Sequence, residues 1–169
     1  MSERKLSPTH RLVLMAMLAA VQIVLSRFLS INLWNLKIGF SFVPIALAGM
    51  LLGPFGAGLT GAVADIIGAT LFPSGAFFPG FTLTAFLTAF GYGCFLYKKQ
   101  NMSRILGAVL FSEIIGTLLL NTLWLSMLYG TPFIPILLPR LGQAIGMGIV
   151  EVAVIRLLAK YIPQLKQAI

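Results

Sequence analysis

The sequence predicts an all-α integral membrane protein: a single domain, residues 1–169, folded as a bundle of six transmembrane helices. Three observations carry that expectation. Hydrophobic residues make up 59% of the chain and charged residues only 9%, which leaves too little polar surface to cover a water-soluble core. The apolar residues fall in long runs on the scale of a hydrocarbon core of about 30 Å. Those runs are separated by Gly/Pro turns and by short basic stretches. The excess of 12 Lys and Arg over 4 Asp and Glu, a formal charge of +8, therefore orients the chain in a bilayer and is no footprint of nucleic-acid binding.

The first span runs from about His10 to Ile31, after a helix start at Ser7–Pro8–Thr9. It is too long for a signal-peptide core and has no small-residue cleavage site. Ala16 and Ala20, four apart with Ala19 between, leave a shallow groove where another helix can approach. Arg27 lies near the far end, where a charge must snorkel, pair, or face a polar cavity. Residues 32–40, with Trp34 and Lys37, read as an interfacial loop.

Two short apolar runs follow, Phe42–Leu52 and Ala57–Leu71, joined by Gly53–Pro54–Phe55–Gly56. They predict a hairpin of broken or tilted helices around a tight turn. Gly58, Gly61, Asp65 and Gly68 share one helical face, so Asp65 faces protein and not lipid. An ionisable group at that depth is a candidate functional group; the alternative is a structural carboxylate that caps a helix or pairs with Arg27 or Arg140.

The stretch from Phe72 to Thr84 stands out. Pro73, Gly75, Pro79 and Gly80 stop any helix from passing through, while Phe77, Phe78 and Phe81 crowd positions where turns carry small polar residues. Rings on a stiff loop stack on a flat ligand at low entropic cost. They also suit an aromatic belt at the lipid–water boundary, and composition alone leaves both readings open. A fourth span, about Phe81–Tyr97, ends in Lys98–Lys99; Cys94 within it is a small packing residue or a palmitoylation site, and as the only cysteine it excludes an internal disulfide.

The fifth span, Ile105–Tyr129, carries Glu113 and then Asn121–Thr122–Leu123–Trp124. A turn over residues 130–135 leads to the last, about Ile136–Ile162, with Arg140 and Gln143 near its start. Gly142, Gly146 and Gly148 give it a close-packing face, and Glu151, Arg156, Lys160 and Lys166 mark its exit. The basic residues Arg4, Lys5, Arg11, Lys98, Lys99, Arg104, Arg156, Lys160 and Lys166 fall on one side of six crossings. The expectation is that both termini are cytoplasmic. The aromatic loop, Arg27, Asn121, Trp124 and Arg140 then gather outside, as a polar and aromatic pocket.

Catalytic machinery is not visible. There is no P-loop, one histidine and one cysteine make no metal site of usual composition, and Ser74 in Pro-Ser-Gly sits in no activating motif. The expectation is a binding site without an engine: no enzyme, no cofactor.

Pro73-Ser74-Gly75-Ala76-Phe77-Phe78-Pro79-Gly80-Phe81-Thr82, placed after a glycine-rich helix with Ala64–Asp65, resembles the folate-specific substrate-binding (S) subunit of energy-coupling-factor (ECF) vitamin transporters. So do Leu120-Asn121-Thr122-Leu123-Trp124-Leu125-Ser126, Gly130, Pro132-Phe133 and Pro139-Arg140, and the similarity spans essentially the whole chain. Ala16-x-x-x-Ala20 is similar to the motif through which such subunits meet a shared transmembrane coupling protein, the T component. The resemblance implies a subunit that captures a vitamin from outside and topples in the membrane when two cytoplasmic ATPases hydrolyse ATP. It implies folate as ligand, with Phe77, Phe78, Phe81 and Trp124 enclosing the rings and Pro79, Gly80 and Thr82 completing the loop. Asn121 and Asp65 are its candidates for the pterin edge, and Arg27, Lys37 or Arg140 for the carboxylates, Arg27 alternatively for cation–π packing. Competing expectations are an S subunit for another vitamin or pterin, a self-sufficient secondary transporter using Asp65 and Glu113, and an intramembrane lipid enzyme.

Overall fold

In the computed structural model, which describes residues 7–32, 36–73 and 75–168, the chain begins with α1 (Pro8–Arg27). Its start is the one the sequence marks: Pro8 occupies the first turn and the Ser7 hydroxyl accepts the His10 N–H at 3.3 Å. The helix stops at Arg27 and not at Ile31. The Ser30 hydroxyl donates back to the Ser26 carbonyl at 2.6 Å, and Ser30–Asn32 (β1) pairs antiparallel with Lys37–Gly39 (β2), Ile31 opposite Ile38. A small β ribbon thus replaces the expected interfacial loop in an otherwise helical chain. The β-branched Ile31 and Ile38 at its central pair favour it, and Gly39 permits it, since a Cβ there would lie 2.6 Å from that of Ser30. Trp34 and the Lys37 side chain lie outside the described residues.

Helix α2 (Phe42–Leu71) is two helical pieces joined at Gly53, whose φ of 79° and ψ of −174° only glycine adopts readily. Pro54 follows and has no N–H to donate; at the same break the Arg11 guanidinium donates to the Leu52 carbonyl at 3.2 Å. Both pieces lie against α3 (Pro79–Leu96). Gly49 meets the backbone of Tyr92 and Gly93, Gly93 meets Pro54, and Gly61 meets Ala85 and Ala89. Helix α1 closes the other side, Arg27 lying over Gly68. The glycine stripe therefore faces protein, as its spacing predicts.

Helix α4 (Met102–Phe111), a π-helical segment (Ser112–Leu120) and α5 (Asn121–Tyr129) form one rod, which ends at Gly130 in the left-handed conformation (φ 64°). Helix α6 (Phe133–Ala168) completes the chain. Among the described residues, five helical rods are long and apolar enough to cross a membrane: Pro8–Arg27, Phe42–Leu71, Pro79–Leu96, Met102–Tyr129 and Phe133–Leu165. Met50, Leu52, Tyr92, Leu96, Ile105 and Ile155 fill the core toward the end of the bundle where Gly53 turns. Toward the other end the rods stand apart around a cavity.

One expectation for α6 fails. Gly142 and Gly146 point outward with nothing within 4 Å, and only Gly148 packs, near Val109 and Glu113. The inward stripe of α6 is instead Arg140, Gln143, Met147, Glu151 and Ile155, at helical spacing. Gly142 and Gly146 fall between those positions and join Leu138, Ile145 and Ile149 on the exposed face.

Candidate functional site

The cavity holds about 370 Å³, within the range of sites that enclose a small organic molecule. All five rods contribute walls, and the loop between α2 and α3 bounds one end. Arg27, Asp65, Phe77, Phe78, Phe81, Asn121 and Arg140, singled out in the sequence, all line it.

At the loop end, Asp65 joins three elements. Its Oδ1 lies 3.7 Å from Arg27 Nη2, and its Oδ2 accepts from the Thr82 hydroxyl at 2.8 Å. The carboxylate thereby holds the guanidinium of α1 beside α2 and the first turn of α3. Arg27 is only 12% exposed, so its charge acts through a medium of lower dielectric than water. Thr82 contributes by fixing Asp65; it does not itself line the cavity.

The aromatic group has an inner and an outer layer. Phe78 lines the cavity and packs edge-on to Phe81 (centroids 6.1 Å) and tilted against Trp124 (5.6 Å). Trp124 stands behind it, its indole N–H donating to the Thr84 hydroxyl at 2.9 Å. Gly80 is there for space: a Cβ would come 2.5 Å from the indole ring. Pro79 opens α3 at the first turn. Trp124, Gly80 and Pro79 thus support the aromatic wall from outside the cavity. Phe77, half exposed, edges the cavity beside Gly75 and Ala76.

Arg140 lies deeper and is buried. Its Nη1 donates to the Thr117 carbonyl at 3.0 Å and to the Thr122 hydroxyl at 3.4 Å. The π-helical segment explains this placement. Widening the helix changes the regular ladder, and Thr117 O accepts from Arg140 and from the Thr122 hydroxyl at 3.3 Å. Asn121, where the α-helix resumes, faces the cavity beside it.

The far end corrects one expectation and adds a group that sequence reasoning passed over. Glu151 does not mark the exit of the last span. It is 5% exposed, lines the cavity, and accepts from the Tyr92 hydroxyl at 2.7 Å. Its place three turns beyond Arg140 on the inward stripe of α6 is the signal that would have found it. Gln22, on α1, was also missed; it lines the cavity and its buried Oε1 has no hydrogen-bond partner. Ala16 and Ala20 are exposed, on a face of α1 with Leu12, Val13, Met17 and Val24, turned away from the cavity.

An apolar helical bundle around a partly open cavity, with aromatic rings and one guanidinium at one end and hydrogen-bonding groups at the other, defines a candidate binding site within a membrane-protein fold. Comparison with known proteins makes the class specific. The model of the family described as "ECF transporter, substrate-specific component" matches residues 10–159, and the chain belongs to that family. It is therefore a substrate-specific transporter component of a multi-pass membrane type and not a catalyst.

Among curated proteins, the folate transporter FolT of Clostridium novyi (strain NT) is 46% identical over 120 residues, 70% of each chain. That of Leuconostoc mesenteroides subsp. mesenteroides is 36% identical over 153 residues, 86% of this chain and 82% of the relative. Among solved structures, a crystal structure of FolT bound with folic acid superposes with a TM-score of 0.81 at 40% identity, covering 89% of this chain and 90% of that one.

Proposed function

We propose that the chain is the folate-capturing subunit of an ECF-type importer, binding folate from outside and delivering it once docked on a T component served by two cytoplasmic ATPases. The observation that carries the reading is the cavity, which pairs Phe78 and Phe81 with the Arg27 guanidinium in a site of about 370 Å³. Flat rings and an anionic tail are what those groups recognise. The folic-acid-bound relative, similar over most of both chains, supports the same ligand.

In this reading α2 crosses twice. Gly49 and Gly61, on opposite sides of the Gly53 break, both pack against α3 within two turns of each other, as the arms of a hairpin do. That makes six crossings, with both termini cytoplasmic and the aromatic loop outside. Delivery proceeds by toppling of the subunit in the bilayer, and the Ala16/Ala20 face of α1 is the surface that meets the T component.

Two experiments test it. Detergent-purified protein titrated with folate, followed by tryptophan fluorescence, should bind tightly at one ligand per chain; Phe78→Ala and Arg27→Ala should each weaken binding about tenfold or more, since each removes a partly buried group that lines the cavity. Unchanged affinity in both variants rejects the site, and binding of a different vitamin in place of folate rejects the ligand. For docking, Ala16→Leu with Ala20→Leu should leave folate binding unchanged and abolish ATP-driven uptake by the assembled transporter. Normal uptake would remove α1 from the interface.

A further inference from the structure

The outward face of α6 has a shape and a charge that the cavity does not use. Gly142 and Gly146 have nothing within 4 Å, and the exposed face continues from Gly146 through Val150, Ala153 and Leu157 to Lys160 at helical spacing. Small residues beside the exposed Ile145 and Ile149 make a shallow apolar trough. At its head the trough opens into a groove between α6 and the turn after α3, where Arg156 and Lys160, one helical turn apart and both exposed, meet Gln100. Gln100 Nε2 donates to the Leu96 carbonyl at 2.6 Å, which fixes that wall. The acids among the described residues leave this groove uncompensated: Asp65 and Glu151 line the cavity, and Glu113 is buried. Arg156 stands ten residues beyond Gly146, about 15 Å of helix. That is half of a hydrocarbon core of about 30 Å, the depth of one leaflet. A cationic head above an apolar trough one leaflet deep has the dimensions of a single phospholipid. A second copy of the chain suits it less, because two α6 helices packed side by side in the same orientation would crowd four cations together.

We propose that this groove is a binding site for an anionic phospholipid, with Arg156 and Lys160 holding the headgroup phosphate and one acyl chain lying along Gly146, Val150 and Ala153. A guanidinium pairs with two phosphate oxygens at once, and the ammonium adds a point charge beside it. A headgroup that carries its own ammonium would bring a third cation against those two, so the site selects lipids of net negative charge. The trough supplies the part of the interaction that charge does not, since the missing side chains at Gly142 and Gly146 let a chain lie close to the helix backbone. The site lies on the outside of the bundle, apart from the cavity, and does not depend on the folate reading.

The test is native mass spectrometry of the full chain in detergent, titrated with phosphatidylglycerol and with phosphatidylcholine of identical acyl chains. The unaltered protein should retain one phosphatidylglycerol with a preference of roughly tenfold or more over phosphatidylcholine, a measurement that needs no variant to fold. Arg156→Gln with Lys160→Gln should abolish that preference. Gly146→Leu, which fills the trough and leaves the charge alone, should weaken binding of both lipids. Lys98→Gln with Lys99→Gln removes the same charge from exposed positions on the neighbouring turn and should keep the preference intact. Equal retention of the two lipids by the unaltered protein overturns the proposal. So does a preference lost to the same extent in the Lys98 and Lys99 double variant, which would make it a property of diffuse surface charge. Displacement of the bound lipid by water-soluble glycerol phosphate would mark a site for free phosphate esters, and a dimer abolished by Gly146→Leu would mark a helix-packing face; either result overturns the lipid assignment.

Discussion

Helices α2 and α6 are both long, apolar and rich in glycine, yet their glycines do opposite things. In α2 every glycine is buried, and several are where another backbone passes: Gly49 against Tyr92 and Gly93, Gly61 against Ala85. In α6, Gly142 and Gly146 meet nothing. The difference follows from phase. The α2 glycines fall on the face turned to α3 and α1, whereas the α6 pair falls outside the stripe running from Arg140 through Gln143 and Met147 to Glu151. What this teaches is a division of labour. The α1–α2–α3 half is a block in which the α2 and α3 backbones touch and which holds Arg27 and Asp65 in place at the cavity. In the other half α6 spends its inward face on the polar side chains Arg140, Gln143 and Glu151.

The largest effect should come from filling a contact in the block. A Cβ on Gly93 would stand 2.4 Å from Pro54 Cα, and backbone cannot yield as a flexible side chain can. Gly93→Val should cost about 3 kcal/mol or more, read as loss of monodisperse protein in detergent or a large fall in thermal midpoint. Gly146→Val, the same change on α6, should leave the protein folded. Equal damage in both would mean that the packing difference between the halves has no energetic content.

A smaller effect should follow from loosening the brace without filling space. Thr82→Val removes the 2.8 Å hydrogen bond to Asp65 and keeps the shape. Because it leaves a partly buried carboxylate with one fewer donor, it should cost about 1–3 kcal/mol of stability, and folate should bind more weakly because Arg27 is less well held. Thermal unfolding and titration of one sample read both. If affinity is unchanged, Asp65 does not transmit its position to the ligand through Arg27.

Much of this division can be read in the sequence. The Gly58–Gly61–Asp65–Gly68 spacing places Asp65 among neighbours, and Gly53–Pro54 announces the break. Seven residues flagged there line the cavity. What escapes has physical causes. The β ribbon rests on three pairs of residues, too few to leave a periodic signal. The π-helical segment over Ser112–Leu120 has no signature in the sequence, and the layering that sets Trp124 behind Phe78 depends on packing between helices. Glu151 was hidden by its neighbours in sequence: Arg156 and Lys160 beyond it are exposed, and an acid near them reads as part of the same polar exit. Only the inward stripe, traced from Arg140, separates it from them.

The smallest predicted effect sharpens the comparison most, because it asks whether the outer layer of the aromatic wall matters at all. Trp124→Phe retains a ring against Phe78 and removes the 2.9 Å bond to Thr84. The Thr84 hydroxyl still donates to the Gly80 carbonyl at 3.1 Å, so only its accepting role goes unmet, and the cost should be about 1 kcal/mol. Folate affinity should fall a few-fold and no more, since the indole packs behind Phe78 and does not line the cavity. Trp124→Ala, in contrast, opens a void behind Phe78 and should cost about 3 kcal/mol or more, approaching the Gly93→Val variant. If Trp124→Phe weakened folate as strongly as Phe78→Ala, the indole would belong to the cavity wall itself, and the two-layer description of the aromatic group would be wrong.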